Sequence, residues 1–493
     1  MAVSIVVGGQ AGDEAKGIEV QRLSREAAMV FRFGGAHNAG HTCVVRRNGQ
    51  DEALRLHLFG SATANEGVEI GIGPGTVVYP VAFMCEALEI QRMGIAVLPR
   101  TTVDQRCGIM MPWHILFDSL QETLRSKNGA KKIGTTGSGV GPAHEDITGR
   151  YALKMYDLQH PERYRELLAA EVRRNQMRLD SFGLEATMLR DVIEAITETT
   201  VNRNQSVLTA NLINADQLDL NRLFRISGKT LCFDFEALEQ FLQPYIEFIL
   251  DHKLLGDLSQ KIEEHLANGD HIIAEGSQGL LLDNLFGTGP YVTSGRTLAG
   301  AACCGAGFGP MDVEEVRVIF KAVFSRVGEG PLPTKIDGGE IVRVLQGDGS
   351  KIDDERGATS GRVRDIGVLD AVVARRACQT NGANTISLTK LDKVHGRELT
   401  RIAVAYIIDG QRHEMFPADY ALMEHPEREV IYQDFQPWDA DITGCRDWDD
   451  LPPKAQDFVL RFEQLVNENR LGHRHVKVDR IGTGPGLDDV IVR

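Results

Sequence analysis

Short apolar runs rich in β-branched residues recur along the chain, each closing on a turn. They fall at 4–7 (SIVV), 271–276 (HIIAEG), 317–324 (RVIFKAVF), 384–392 (NTISLTKLD) and 401–409 (RIAVAYIID). Each is too short for a helix, and unbroken hydrophobicity suits strands buried on both faces. Between them lie stretches with helical periodicity, such as 161–179 (PERYRELLAAEVRRNQMRL) and 191–201 (DVIEAITETTV). Strands alternating with helices predict an α/β fold: a large, mostly parallel central sheet flanked by helices. Residues 155–268 break the rhythm, being helix-like, glycine-poor and charged, and they predict a helical subdomain inserted on that sheet. Within it, 201–220 has weak periodicity and reads as a loop-rich embellishment.

The 493 residues carry 54 Lys+Arg against 69 Asp+Glu, a net charge of −15, with 42% hydrophobic residues. No basic surplus exists to neutralise phosphate backbones or acidic lipids, so nucleic-acid and membrane partners are not expected. The first residues lack a basic n-region, and no run of 18 apolar residues occurs, so neither a signal peptide nor a spanning helix is expected. Eight cysteines are scattered without a CxxC pair, as for reduced, mostly buried thiols rather than a disulfide framework or a zinc module. A cytoplasmic protein is the expectation. The one compositional excess is glycine, with 51 residues, near a tenth of the chain against about 7% on average.

Those glycines mark the candidate chemistry. In 4–17 (SIVVGGQAGDEAKG) a strand runs into a glycine turn ending at Lys16. Backbone N–H groups at a helix start, with a lysine, can cradle phosphate. The segment is not a Walker A loop, because Ala15 and Gly17 stand where that motif needs Gly and Ser/Thr. Asp13 and Glu14 are out of place in a loop for anions unless one binds Mg2+ or removes a proton. In 31–42 (FRFGGAHNAGHT), His37 and His41 share one loop beside Asn38 and Thr42, which suits catalysis, phosphate contact or a metal pair.

Further glycine-dense loops at 70–80, 131–150 and 275–295 carry Thr, Ser, Gln and Arg and suggest one polar, phosphate-rich pocket. In 355–367 (ERGATSGRVRDIG), Arg362 and Arg364 suit capture of carboxylate or phosphate, or form a solvated charge pair. The run 384–392 ends in Lys-x-Asp; Asp392 can accept from the guanine N1–H and 2-amino group while the Lys390 stem covers the ring.

In order, GQAGDEAKG, GGAHNAGHT, IGPGTVV, GTTGSGVGP, EGSQGLLLD, GPYVTSG, GAGFGP, SRVGEGPLPT, GATSGRVR, LTKLD and the terminal TGPG resemble the adenylosuccinate synthetases. The likeness spans nearly the whole chain, read as one domain over 1–493 with the helical subdomain inside it. It implies a P-loop-NTPase-like fold and a GTP-dependent ligase of purine biosynthesis that joins L-aspartate to C6 of IMP through a 6-phosphoryl intermediate. It also implies one Mg2+ per subunit and a homodimer.

Residue by residue, the resemblance makes Asp13 the base and a Mg2+ ligand, with the Gly40 carbonyl beside it. His41 matches the acid, and Lys16 and Gln278 complete the catalytic set. Asn38, Thr136, Gln278, Thr293 and Arg362 would hold IMP, with Arg150 crossing to the neighbouring subunit's nucleotide. Thr359, Arg362 and Arg364 would receive aspartate. GTP would meet Gly12, Glu14, Ala15, Lys16, Gly17, Gly40, His41, Thr42, Arg364, Lys390, Asp392, Gly482, Thr483 and Gly484.

Several positions depart from the family pattern. Ala11 replaces a tryptophan, Ala15 a glycine, Gln21 an acid and Gly482 a serine, and Phe286-Gly287-Thr288 replaces an HGT-type run. Ser138 follows GTTG where the family has a basic residue, and the arginine run is thinned to Arg-Val-Arg. Extra residues lie near 185–240. Such a divergent member leaves two alternatives open: a paralogue using another 6-oxopurine nucleotide such as dGMP, or another amino acid, and a non-catalytic GTP-binding regulator.

Overall fold

The computed structural model describes residues 2–493 except 48, 128, 130–132, 228–229, 350, 352–353, 358–360, 395 and 469–474. A ten-stranded sheet runs through its centre. Its order is Leu255–Gly256, Thr101–Asp104, Glu69–Ile72, Met29–Arg32, His271–Glu275, Ala2–Gly8, Val313–Lys321, Thr385–Thr389, Lys477–Gly482 and Val490–Val492. Every pairing is parallel except the last.

Side chains of successive strand residues enter opposite layers. Val6, Val30, Ile70 and Ile273 join a core that includes the helix Pro112–Lys127 and the helical region. Ile5, Val7, Phe31, Ile272 and Phe320 join the other core, with the helices Ala371–Asn381 and Pro453–Asn467. Burial on both faces explains why these strands read as unbroken apolar runs.

The run 317–324 divides between sheets. Val313–Lys321 belongs to the central sheet, whereas Val323–Arg326 pairs antiparallel with Asp365–Asp370 in a second sheet. The strand Arg401–Ile408 lies in that second sheet too. Within 155–268 the helices Pro161–Ser181, Ala186–Arg203, Phe235–Asp251 and Leu258–Asn268 are present. A hairpin of Phe224–Ser227 with Thr230–Phe233 interrupts them, and Leu255–Gly256 adds an edge strand to the central sheet. No helix among the described residues is long and apolar enough to cross a membrane. All eight cysteines are free thiols, four of them buried.

Register places the site. Val6, Glu275, Arg32 and Ile72 stand side by side across four neighbouring strands. The loops leaving the carboxyl ends of these strands surround a crevice, where open parallel sheets bind ligands.

Candidate active site

The loop after Ala2–Gly8 turns through positive φ at Gly12, Asp13 and Ala15, with angles of 84°, 59° and 67°. Its two acids part company. Glu14 is fully buried beneath the loop, accepting from the Gln10 and Gly12 amides at 3.0 and 2.9 Å and pairing with Lys16 at 2.5 Å. Glu14 therefore holds the loop's shape and does not line the cleft. Asp13 does line it, as does Lys16 at the start of the helix Lys16–Leu23.

His41 opens the strand His41–Arg47 and is almost wholly buried. Its Nδ1 hydrogen-bonds the Glu275 carboxylate, which also accepts from the Ser61 amide at 2.7 Å and the Ser61 hydroxyl at 2.5 Å. Nε2 of His41 has no partner among the described residues. A carboxylate on one ring nitrogen fixes the tautomer and leaves the other nitrogen for chemistry. Burial lowers the His41 pKa and outweighs the opposing pull of Glu275. Burial also resists charging Glu275, but His41, Arg32 and Ser61 together hold its pKa below the usual carboxylate value. His37 goes elsewhere: it stacks near Tyr79, and burial, followed by His57 and Arg203, pushes its pKa down to about 3. Among the described residues no cluster of three His, Cys, Asp or Glu could hold a metal, so the two histidines do not form a metal pair with a third such ligand.

A second group of charges lies across the cleft. Arg364 reaches Asp13 at 3.0 Å and Glu355 at 2.6 Å. Glu355 also takes Lys321 at 2.8 Å and Lys390 at 2.6 Å. Three cations hold its carboxyl well below the ordinary value although burial opposes them. Lys390, with φ 58°, precedes the short turn Leu391–Lys393, in which Asp392 is buried. Thr389 donates to the Glu14 carbonyl at 3.0 Å and so fastens this strand end to the phosphate-type loop.

One cavity of about 870 Å³ joins these parts. Its walls include Gly12, Asp13, Ala15, Lys16, Gly17, Asn38, Gly40, His41, Thr42, Thr136 and Gln278. Thr293, Arg362, Arg364, Lys390, Asp392, Gly482 and Gly484 are further expected residues on the walls. Asn38 reaches Thr293 at 3.5 Å. Three expected residues lie outside the walls. Glu14 is under the loop, Thr483 is buried with its hydroxyl on the Cys445 carbonyl, and Arg150 is exposed at the end of the helix Val140–Gly149. Thr359 lies outside the described residues.

Sequence reading missed Glu275, Glu355 and Lys321 as individuals. Each carried a signal: an acid closing the strand HIIAE, an acid heading the GATSG loop, and a single lysine inside the apolar run RVIFKAVF.

A doubly covered parallel sheet, with a phosphate-type loop, an acid and a buried His–Glu pair at its carboxyl edge, defines a nucleotide-dependent enzyme of the phosphoryl-transfer kind. More narrowly, the chain belongs to the adenylosuccinate synthetase family, whose model matches residues 5–224 and 219–491. The adenylosuccinate synthetase of Methylibium petroleiphilum is 33% identical over 491 residues, covering 99% of this chain and 96% of that protein. The Salinibacter ruber enzyme is 34% identical over 495 residues, covering 100% and 98%. Among solved structures, the fully ligated adenylosuccinate synthetase of Plasmodium falciparum superposes with a TM-score of 0.78 at 25% identity over the whole of both chains. The succinoaminodeoxyadenylate synthetase of cyanophage S-2L, bound to dGMP and dATP, shares the fold at a TM-score of 0.51 and 15% identity, covering 100% of this chain and 95% of that one.

Proposed function

We propose that this chain is a GTP-dependent ligase joining L-aspartate to C6 of IMP, and that its one cleft performs both halves of the reaction. The observation that carries this reading is that Asp13, His41, Lys390 and Asp392 line a single cavity. Asp13 takes the proton from N1 of IMP, so that O6 gains negative charge and attacks the γ-phosphorus of GTP, releasing GDP. The aspartate amine then adds to C6 and loses a proton as inorganic phosphate departs, giving adenylosuccinate. Positioning and charge stabilisation supply most of the catalysis in such transfers.

Lys16 and His41 stabilise the transferring phosphoryl group, His41 through the Nε2 that Glu275 leaves free. Gln278, Asn38, Thr136, Thr293 and Arg362 hold IMP, and Thr359, Arg362 and Arg364 hold the aspartate. Lys390 and Asp392 read guanine, with Gly482 and Gly484 closing over it and Thr483 fastened behind them. The Asp13 carboxylate and the Gly40 carbonyl are hard oxygen donors on the same wall and fit Mg2+, which when bound neutralises phosphate charge. Arg150, exposed in one chain, serves the neighbouring subunit in a homodimer. We assign the chain to the cytoplasm and read 1–493 as one catalytic unit.

Mass spectrometry of products from GTP, Mg2+, L-aspartate and a panel of IMP, dIMP, GMP and dGMP tests the reading. Adenylosuccinate from IMP is the expected result. Product from a different nucleotide alone, or none while GTP binds, overturns it.

A further inference from the structure

Ile133, Gly134, Thr135 and Thr136 line the cleft, yet several amides of the segment 133–139 already have acceptors. Glu122 occupies the Ile133 and Gly134 amides, each at 3.1 Å, and Asp118 takes the Gly139 amide at 2.9 Å. The Gly137 amide goes to the Thr135 hydroxyl at 3.3 Å. Four N–H groups of this segment are therefore committed, two of them on the cleft-lining Ile133 and Gly134, and two carboxylates hold three of the four. Negative charge beneath the loop opposes any anion bound above it. Glu145 lines the cleft as well, paired with Arg178 at 2.5 Å, and the lining cations include Arg125 and Arg362, the latter reaching the Gly134 carbonyl at 3.4 Å among its contacts. Ser138 supplies no charge.

A further cation reaches this loop from the helical region. Arg203 ends the helix Ala186–Arg203 and donates to the Thr136 carbonyl at 3.1 Å, with the Ser138 hydroxyl at 3.5 Å. Its charge, after burial and His57, also helps keep the His37 ring neutral, one residue before Asn38. Thr136 and Asn38 are two of the five residues assigned above to IMP. A guanidinium at the end of a helix would by itself be ordinary charge complementation of the helix dipole. This one instead crosses to the Thr136 carbonyl, on a segment whose amides Glu122 and Asp118 hold.

We propose that Arg203 is a positioning residue that adds, through the Thr136–Ser138 loop, positive charge to that of Arg125 and Arg362 for an anionic substrate group held there. The extra helical segment thereby completes the acceptor side of the site. The group is either the 5′-phosphate of the acceptor nucleotide or a carboxylate of the amino acid. The inference rests on the ligase reading for the identity of these ligands, whereas binding can be measured without turnover.

The test uses the full-length protein and calorimetric Kd values for IMP, inosine, L-aspartate and GTP, in wild type, Arg203→Lys and Arg203→Gln. Gln keeps a donor for the Thr136 carbonyl but removes the charge, so it separates electrostatics from loop support. Arg203→Gln should weaken one anionic ligand roughly tenfold, as expected for losing one nearby charge at a half-solvated site. Arg203→Lys should retain most of the affinity, and GTP binding should stay within twofold. A loss confined to IMP, with inosine unchanged, identifies the phosphate; a loss confined to aspartate identifies the carboxylate. Unchanged affinity for both in Arg203→Gln overturns the proposal, as does an equal loss for inosine and GTP with a lowered melting temperature. Should Gln prevent folding, Arg203→Lys carries the test through salt dependence: IMP or aspartate binding that ignores ionic strength overturns it. Failure of the ligase reading would appear separately, as intact IMP, aspartate and GTP binding without product.

Discussion

Arg364 stands 3.0 Å from the Asp13 carboxylate, so the proposed base is paired with an arginine assigned to the second substrate. That arginine is anchored in turn by Glu355, which also holds Lys321 and Lys390. One buried acid thus ties together residues proposed for the base, aspartate and guanine subsites. Removing it leaves three cations without their common partner. Glu355→Gln is expected to cost about 3–5 kcal/mol, the usual penalty for breaking a buried ion pair. Lys321 is fully buried, and burial, with Arg364 and Lys390 also opposing its charge, pushes its pKa down to about 8 despite Glu355. Adding Lys321→Met to Glu355→Gln should therefore recover part of the loss. Urea unfolding of the two singles and the double checks this, and strictly additive losses would count against the hub.

His41 depends on Glu275 for its orientation. Glu275→Gln keeps the shape but replaces the anion, so the ring is no longer held by a charged acceptor. The expected result is a fall in kcat of about 10²-fold, as for an orienting partner of a catalytic histidine, with KM for GTP within threefold. Steady-state kinetics at fixed pH would decide; a wild-type kcat would remove Glu275 from the mechanism.

These two acids also show where the sequence stops being informative. The strand runs at 4–7, 271–276 and 384–392 were legible because burial on both faces leaves unbroken apolar stretches. The cleft residues Asp13, Lys16, His41, Gln278, Lys390 and Asp392 were legible because each sits in a short motif at a strand end. Pairings such as Glu355 with Lys321, or Arg203 with Thr136, join distant segments and leave no local pattern. The split of 317–324 between two sheets was hidden for a related reason: Ala322 continues the apolar run while the backbone changes partners. The antiparallel pair Phe224–Ser227 and Thr230–Phe233 within the helical region was hidden because four-residue strands are too short to stand out as a pattern.

Ala15 adopts φ 67°, ψ 32°, a left-handed conformation that costs a residue with a Cβ about 1 kcal/mol or more. Ala15→Gly removes that cost at the point where the loop enters its helix, outweighing the extra freedom glycine gains when unfolded. The variant should be more stable by about 0.5–1 kcal/mol in urea unfolding. A destabilised variant would mean that the Ala15 methyl contributes packing that exceeds the backbone term.

Asp370 caps the helix Ala371–Asn381 through the Val372 and Val373 amides and accepts from the Tyr406 hydroxyl. Burial raises its pKa to about 6, despite those hydrogen bonds. Because the folded value lies above the unfolded one near 3.8, the protonated form stabilises the fold. That contribution is full below about pH 4 and is lost as pH rises through about 6. Asp370→Asn keeps a capping acceptor without titrating. Relative to wild type, the Asn variant should gain about 2–3 kcal/mol in stability between pH 4 and 7. Paired urea titrations at the two pH values measure this, and a constant difference would place the Asp370 pKa near its ordinary value.

Asp392 offers the sharpest test of nucleotide choice. A carboxylate accepts at both oxygens and so matches two guanine donors, N1–H and the 2-amino group, whereas an amide accepts at one position and donates at the other. Asp392 is buried in the cleft wall beside Lys390, so water cannot readily substitute for the lost acceptor. Asp392→Asn should therefore lower kcat/KM for GTP by about 10–100-fold, equivalent to roughly 1.4–2.8 kcal/mol. With inosine triphosphate, which lacks the 2-amino group, the loss should be smaller, narrowing the preference between the two nucleotides. Competition between them in one reaction measures the ratio directly. A preference as wide as in wild type would move guanine recognition away from the Lys390–Asp392 turn.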